Sequence, residues 1–178
     1  MVGTGLKSAP ALTGAWRAAR RRLTCQTLVS KASSGASSRI LGQLHELDLS
    51  NNDLKELEEA AIVTAKPSLT YLDVSRNEIS SISHDSIVGL ATQSYSGDGE
   101  NKITQFTQKS WQHIFDQLQQ PYGIINLAEN PLVCGCDMAW IVLNKTYLAL
   151  FTDTTTCASG ERVIFLDPNI FTLMCPHV

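Results

Sequence analysis

A spacing of 25 residues constrains this chain more than any other feature of its sequence. Leu44, Leu47, Leu49, Asn52, Leu54 and Leu57 return, position for position, as Leu69, Leu72, Val74, Asn77, Ile79 and Ile82. Each copy is too short to bury its own apolar face. Copies must therefore stack, with alternate strand residues such as Leu47 and Leu49 pointing into one shared core. The asparagine is the polar member of the pattern, and its amide offers two donors and an acceptor to backbone groups that lose strand partners where the chain turns. Asn52 and Asn77 read as structural residues, and so do Asn101 and Asn130 in two less regular copies. The third copy keeps Asn101, Ile103 and Phe106, but Gln93, Ser96 and Asp98 stand where its strand leucines should be. The fourth has Tyr122, Ile125, Leu127, Asn130 and Leu132, its asparagine 29 residues after the third. The added length holds "SWQHIFDQLQQ", where Trp111, Ile114, Phe115 and Leu118 fall on one helical face.

The segment "LHELDLSNNDLKEL" fits L-x-x-L-x-L-x-x-N-x-L and resembles the leucine-rich repeat superfamily. The resemblance implies an α/β solenoid, a short array of about four repeats with parallel strands on its concave face. Repeats are expected over residues 44–133 and a C-terminal cap over 134–178.

Charge marks the other boundary. Residues 1–43 hold seven of the fourteen Lys and Arg and none of the seventeen Asp and Glu, so the remainder carries 7 − 17 = −10. "SKASSGASSR" before that boundary has the composition of a flexible linker. The first 43 residues read as a basic, Ser/Arg-rich tail: a disordered arm or an incorrectly assembled gene start. Their composition is also that of an organellar transit peptide, and they lack the apolar core of a secretory signal. The "RAARRR" cluster has little aromatic company, a weak footprint for nucleic acid, and no nucleic-acid partner is expected. No run reaches the length of a membrane span.

A solenoid this short exposes its leucine core at each end unless something covers it. Cys134, Cys136, Trp140, Cys157 and Cys175 follow the last repeat. Zinc competes for these cysteines, but familiar sites pair them two to four residues apart. A redox dithiol would be C-x-x-C at a helix start. "NKT" at Asn144 is an N-glycosylation acceptor, which fits a secreted protein. Cys25, in the tail, is left over.

The arrangement N-P-L-x-C-x-C-x-x-x-W with two later cysteines resembles the cysteine-rich C-terminal cap of extracellular leucine-rich repeat proteins. That resemblance implies bonds Cys134–Cys157 and Cys136–Cys175, with Trp140 on a short helix over the open core. Loops of 23 and 39 residues closed in this way would each contribute about 3 to 4 kcal/mol.

No cofactor or metal is expected, and catalysis has little footing: His45, His84, His113 and His177 are scattered, and "GDGEN" lacks the lysine of a phosphate loop. What remains is surface. Residues alternating with the core leucines face the concave side: Glu46, Asp48 and Ser50, then Tyr71, Asp73 and Ser75, then Ile124, Asn126 and Ala128. This strip suits a protein partner with a basic patch, although "LDLS" and "LDVS" are common in such repeats whatever the partner.

Across residues 44–178 the chain resembles the arthropod secreted leucine-rich repeat family named for the non-catalytic subunit of oplophorus-luciferin 2-monooxygenase. The resemblance implies a secreted, non-enzymatic binding or scaffold protein, whose partner could be a separate catalytic subunit. Two alternatives stand beside it: the C-terminal part of a receptor or adhesion ectodomain, and an intracellular repeat protein with reduced cysteines.

Overall fold

The computed structural model describes residues 17–19, 22–24, 44–64, 67–118 and 123–176. Most of the basic tail, including Cys25, lies outside these, as do Tyr122 and His177. In chain order the strands are β1 (Arg17–Ala19), β2 (Arg22–Thr24), β3 (Glu46–Asp48), β4 (Glu56–Leu57), β5 (Ile62–Val63), β6 (Leu69–Asp73), β7 (Ser81–Ile82), β8 (Ile87–Val88), β9 (Leu90–Gly97) and β10 (Ile124–Asn126). Helix α1 (Gln108–Leu118) precedes β10, and α2 (Ala139–Val142), α3 (Lys145–Leu148) and α4 (Pro168–Met174) follow it.

Six strands form one sheet in the order β1-β2-β3-β6-β9-β10. From β2 to β10 neighbours run parallel, and β1 closes the edge as an antiparallel strand. Two strands of the segment read as a tail thus extend the sheet beside β3. On the return path of the first two coils, β4 pairs with β7 and β5 with β8. Leu47 and Leu49 are 4% and 8% exposed, Leu72 and Val74 0%. The inward stack that the repeat requires is present.

The third coil solves its missing leucines by changing length. Leu69 stands 8 residues before Asn77, but its sheet partner, Leu90, stands 11 before Asn101, and the ladder is irregular between them. Counting back from Asn101 points to Gln93; the strand takes in three more residues instead, because that brings a leucine, 2% exposed, into the core. Tyr95, Ser96 and Gly97 then resume register with Tyr71, Leu72 and Asp73.

Helix α1 takes the return path of this third coil, with Trp111, Ile114, Phe115 and Leu118 all buried. Its polar edge is bonded to the second coil. The Gln117 Oε1 accepts the Gly89 and Leu90 N–H groups at 2.7 and 3.0 Å, while its Nε2 donates to the Ile87 carbonyl at 2.8 Å. Gly89 has φ +106°, and a Cβ there would lie 1.8 Å from Thr64 Oγ1, which donates to the Gly89 carbonyl. Only glycine fits.

The asparagines link coil to coil. Nδ2 of Asn77 donates to the carbonyls of Val74 and Ser75 in its own coil and of Leu49 in the coil before, at 2.9 to 3.1 Å. Its Oδ1 accepts the Leu54 N–H at 3.1 Å. Asn101 repeats this with Asp98, Gly99, Val74 and Ile79. Asn130 does so with Leu127, Ala128, Asp98 and Ile103. All are less than a tenth exposed, and each accepts one buried N–H from the coil before while adding a donor to carbonyls that already hold one. The residue before each asparagine (Asn51, Arg76, Glu100, Glu129) has φ between 53° and 61°. The inward bend is therefore left-handed at every turn.

Candidate binding face and its cap

The parallel register aligns the outward strand residues in rows. Glu46 and Tyr71 lie in one row, which ends at Ile124; Asp48 and Asp73 lie in the next, which ends at Asn126. Sequence reasoning placed these six residues on one face, and the sheet brings them to it. It missed a second task for the lower row. Asp48 Oδ1 accepts the Ser50 N–H at 3.0 Å and the Ser50 hydroxyl at 2.7 Å. Asp73 Oδ1 accepts the Ser75 N–H at 2.9 Å, and Asn126 Oδ1 the Ala128 N–H at 3.1 Å. Each closes the turn that follows its strand. This explains the D-x-S in both regular copies, since one carboxylate oxygen serves the fold and the second is left to the surface.

That second oxygen is also partly engaged, because the Tyr71 hydroxyl donates to Asp73 Oδ2 at 3.1 Å. The strip therefore presents a fixed phenol between carboxylates, with Ile124, 42% exposed, at its cap end. Beside it, Arg76 pairs with Glu100 at 2.8 Å and Lys102 with Glu78 at 3.3 Å, both solvent-exposed and of small energetic weight.

The cap pairs directly with the last strand. The Ile125 N–H donates to the Leu150 carbonyl at 2.7 Å, and the Thr152 N–H to the Ile125 carbonyl at 3.0 Å, so β10 is not left as an open edge. Met138, Ala139, Ile141 and Val142 are fully buried and form the plug. Trp140 is only half-buried: its Nε1 donates to the Phe106 carbonyl at 2.8 Å, and its ring lies 5.1 Å from Phe115 and 5.5 Å from Tyr147. It ties the plug to α1 rather than forming the plug alone. Cys134 is bonded to Cys157 and Cys136 to Cys175. Asn144 is the N-cap of α3, its Oδ1 accepting the Thr146 and Tyr147 N–H groups. Among the described residues no group of three or more His, Cys, Asp or Glu is placed to hold a metal ion. No described helix is long and apolar enough to cross a membrane.

Stacked parallel strands, asparagine-linked coils and a doubly cross-linked end make up a solenoid of the leucine-rich repeat type, and residues 42–93 match the Leucine rich repeat family. Within that class the chain is similar to the oplophorus-luciferin 2-monooxygenase non-catalytic subunit of Oplophorus gracilirostris, 31% identical over 135 residues, covering 75% of this chain and 36% of that protein. It is also 30% identical over 153 residues to trophoblast glycoprotein of Macaca fascicularis, covering 83% of this chain and 35% of the relative. The chain thus spans about a third of the length of the relatives it matches. The crystal structure of human 5T4, a trophoblast glycoprotein also titled Wnt-activated inhibitory factor 1, superposes with a TM-score of 0.50 at 23% identity. It covers 75% of this chain and 48% of that one, which shows a shared fold.

Proposed function

We propose that this chain is a non-enzymatic, extracellular binding module that holds a protein partner on the concave face formed by β3, β6 and β10. The carrying observation is the aligned strip: Glu46 and Asp48 at one end, Tyr71 locked to Asp73 in the middle, Ile124 exposed at the other. Acidic groups around a rigid phenol complement a basic patch that also offers an apolar contact. Residues 44–133 supply the repeats and 134–178 the cap. The relative described as a non-catalytic subunit supports an accessory or scaffold role beside a separate catalytic chain. Two cap disulfides support an oxidising, extracellular setting.

The test uses the immobilised full chain and extracellular fluid from its source, with two double variants. Tyr71→Ala with Asp73→Lys alters the concave face; Glu78→Lys with Lys102→Glu alters exposed charges outside the strand rows. The proposal expects a discrete set of proteins retained by the wild type and the second variant and lost from the first. Equal retention by all three overturns it.

A second reading, the ectodomain end of a receptor or adhesion protein, is favoured by the similarity to trophoblast glycoprotein. A transcript continuing past Val178 into a membrane-spanning segment would establish it. A transcript that stops there would end it.

A further inference from the structure

We infer that Asn144 carries an N-linked glycan, and that the folded cap is built to retain it without loss of the helix it starts. The inference rests on the extracellular reading above. The sequon Asn144-Lys145-Thr146 opens α3, a position where an asparagine side chain ordinarily serves the backbone and where a bulky adduct could be expected to break the cap. The atoms divide otherwise. Oδ1 does the capping, accepting from the Thr146 N–H at 3.0 Å and the Tyr147 N–H at 3.4 Å. The amide nitrogen takes no part in either bond.

Glycan transfer forms a bond between Asn144 Nδ2 and the anomeric carbon of an oligosaccharide carried on a lipid diphosphate. One Nδ2 proton leaves, the lipid diphosphate departs, and no electrons change hands. Oδ1 remains an amide oxygen with its lone pairs, so both capping bonds survive the modification. The surroundings allow it as well. Asn144 is half-exposed between exposed Leu143 and Lys145, and Thr146 is half-exposed too.

Position gives the glycan a side of the molecule. Tyr147, one turn into α3, is buried and donates its hydroxyl to Asp116 on α1, the helix that forms the return path of the third coil. The sugar would leave from the part of the cap that packs against α1. It would also shield Leu143, 42% exposed.

The experiment directs the full chain to the secretory pathway of insect cells with an added leader and analyses both the medium and the cell-associated pool. Wild type and Thr146→Ser should show hexose and N-acetylhexosamine mass that peptide-N-glycosidase removes, leaving aspartate at position 144 in the peptide map. Thr146→Ala should lose the added mass yet keep wild-type thermal stability before deglycosylation to within a small shift, because the capping atom is intact. Protein that has formed both disulfides but carries an unmodified Asn144 in both pools overturns the glycan while leaving the extracellular reading standing. Protein with four free cap thiols overturns the extracellular reading and the glycan together. A glycosylated wild type whose Thr146→Ala variant is much more stable would overturn the claim that the cap accommodates the sugar.

Discussion

The repeats and the cap hold their ends together by opposite means. Between coils, cohesion is distributed: a leucine layer, one asparagine per turn and the parallel ladder, each supplied at about the same spacing. In the cap it is concentrated: two disulfides, a buried plug of Met138, Ala139, Ile141 and Val142, and an aromatic group in which Phe115 contacts Trp140, Tyr147 and Phe151 at 5.1 to 5.6 Å. A repeat has a neighbour to finish its hydrogen bonds and its core. The terminal unit has none on its outer side, and covalent bonds replace the missing neighbour.

The largest effect should come from the cap. Cys134→Ser with Cys157→Ser removes the bond beside the Leu132–Cys157 bridge, and a loss of about 3 to 4 kcal/mol is expected in chemical denaturation. The two bonds should also differ in access. Cys136 is exposed and bonded to Cys175, 8% exposed at the end of α4, in which only Phe171 is buried, whereas Cys134 is half-buried and bonded to Cys157, 4% exposed. Under limiting reductant, alkylation should label Cys136 and Cys175 before Cys134 and Cys157. The reverse order would show that the two bonds are not distinguished by exposure.

Next comes the distributed side. Asn77→Ala takes the acceptor from the buried Leu54 N–H and one of two donors from the carbonyls of Leu49, Val74 and Ser75, an expected cost of about 1 to 3 kcal/mol by the penalty for an unpaired buried group. A cost well under 1 kcal/mol in the same denaturation assay would mean that water replaces the ladder. Smaller again is Tyr147→Phe, which deletes the hydroxyl bonded to Asp116 and should cost about 1 kcal/mol. Ala60→Gly should act in the other direction. Ala60 is exposed at φ +56°, and glycine there should stabilise by about 0.5 to 1 kcal/mol in a thermal melt.

The smallest effect concerns the joint between the second coil and α1. His113 Nε2 faces the Ser86 hydroxyl at 3.4 Å and the Ile87 N–H at 3.5 Å, and burial lowers its pKa from the ordinary 6.5. Asp85 and Asp116 oppose that shift and His84 adds to it. The folded state therefore favours the neutral ring. Its contribution is complete above the ordinary value and is lost as pH falls through the folded one. Stability of wild type should decline from pH 7 to pH 5 more than that of His113→Gln, as urea midpoints at each pH would show.

Legibility in the sequence followed locality. Leu47, Leu72, Asn52 and Asn77 were readable because each environment recurs at a fixed interval, and Trp111, Ile114, Phe115 and Leu118 because a helix sets its own period. Leu90 was not readable from its distance to Asn101, since the three added residues depend on which leucine the sheet can reach. Nor was the work of Gln117, whose partners lie 27 to 30 residues away on another element. The outward positions of Glu46, Tyr71 and Ile124 followed from strand alternation. The turn-closing bonds of Asp48 and Asp73 did not, as a carboxylate beside a serine reads equally well as surface.

The asparagine spacings run 25, 24 and 29 residues, yet every asparagine after the first bonds its own coil and the coil before it. The coil is pegged at one point and free in length elsewhere. One interval has already taken up a bulged strand and the next an eleven-residue helix, each without losing register at the peg that follows. Insertions between pegs can therefore rewrite what the protein touches while the core keeps its sequence, and the bulge in β9 is the place to graft new contact residues.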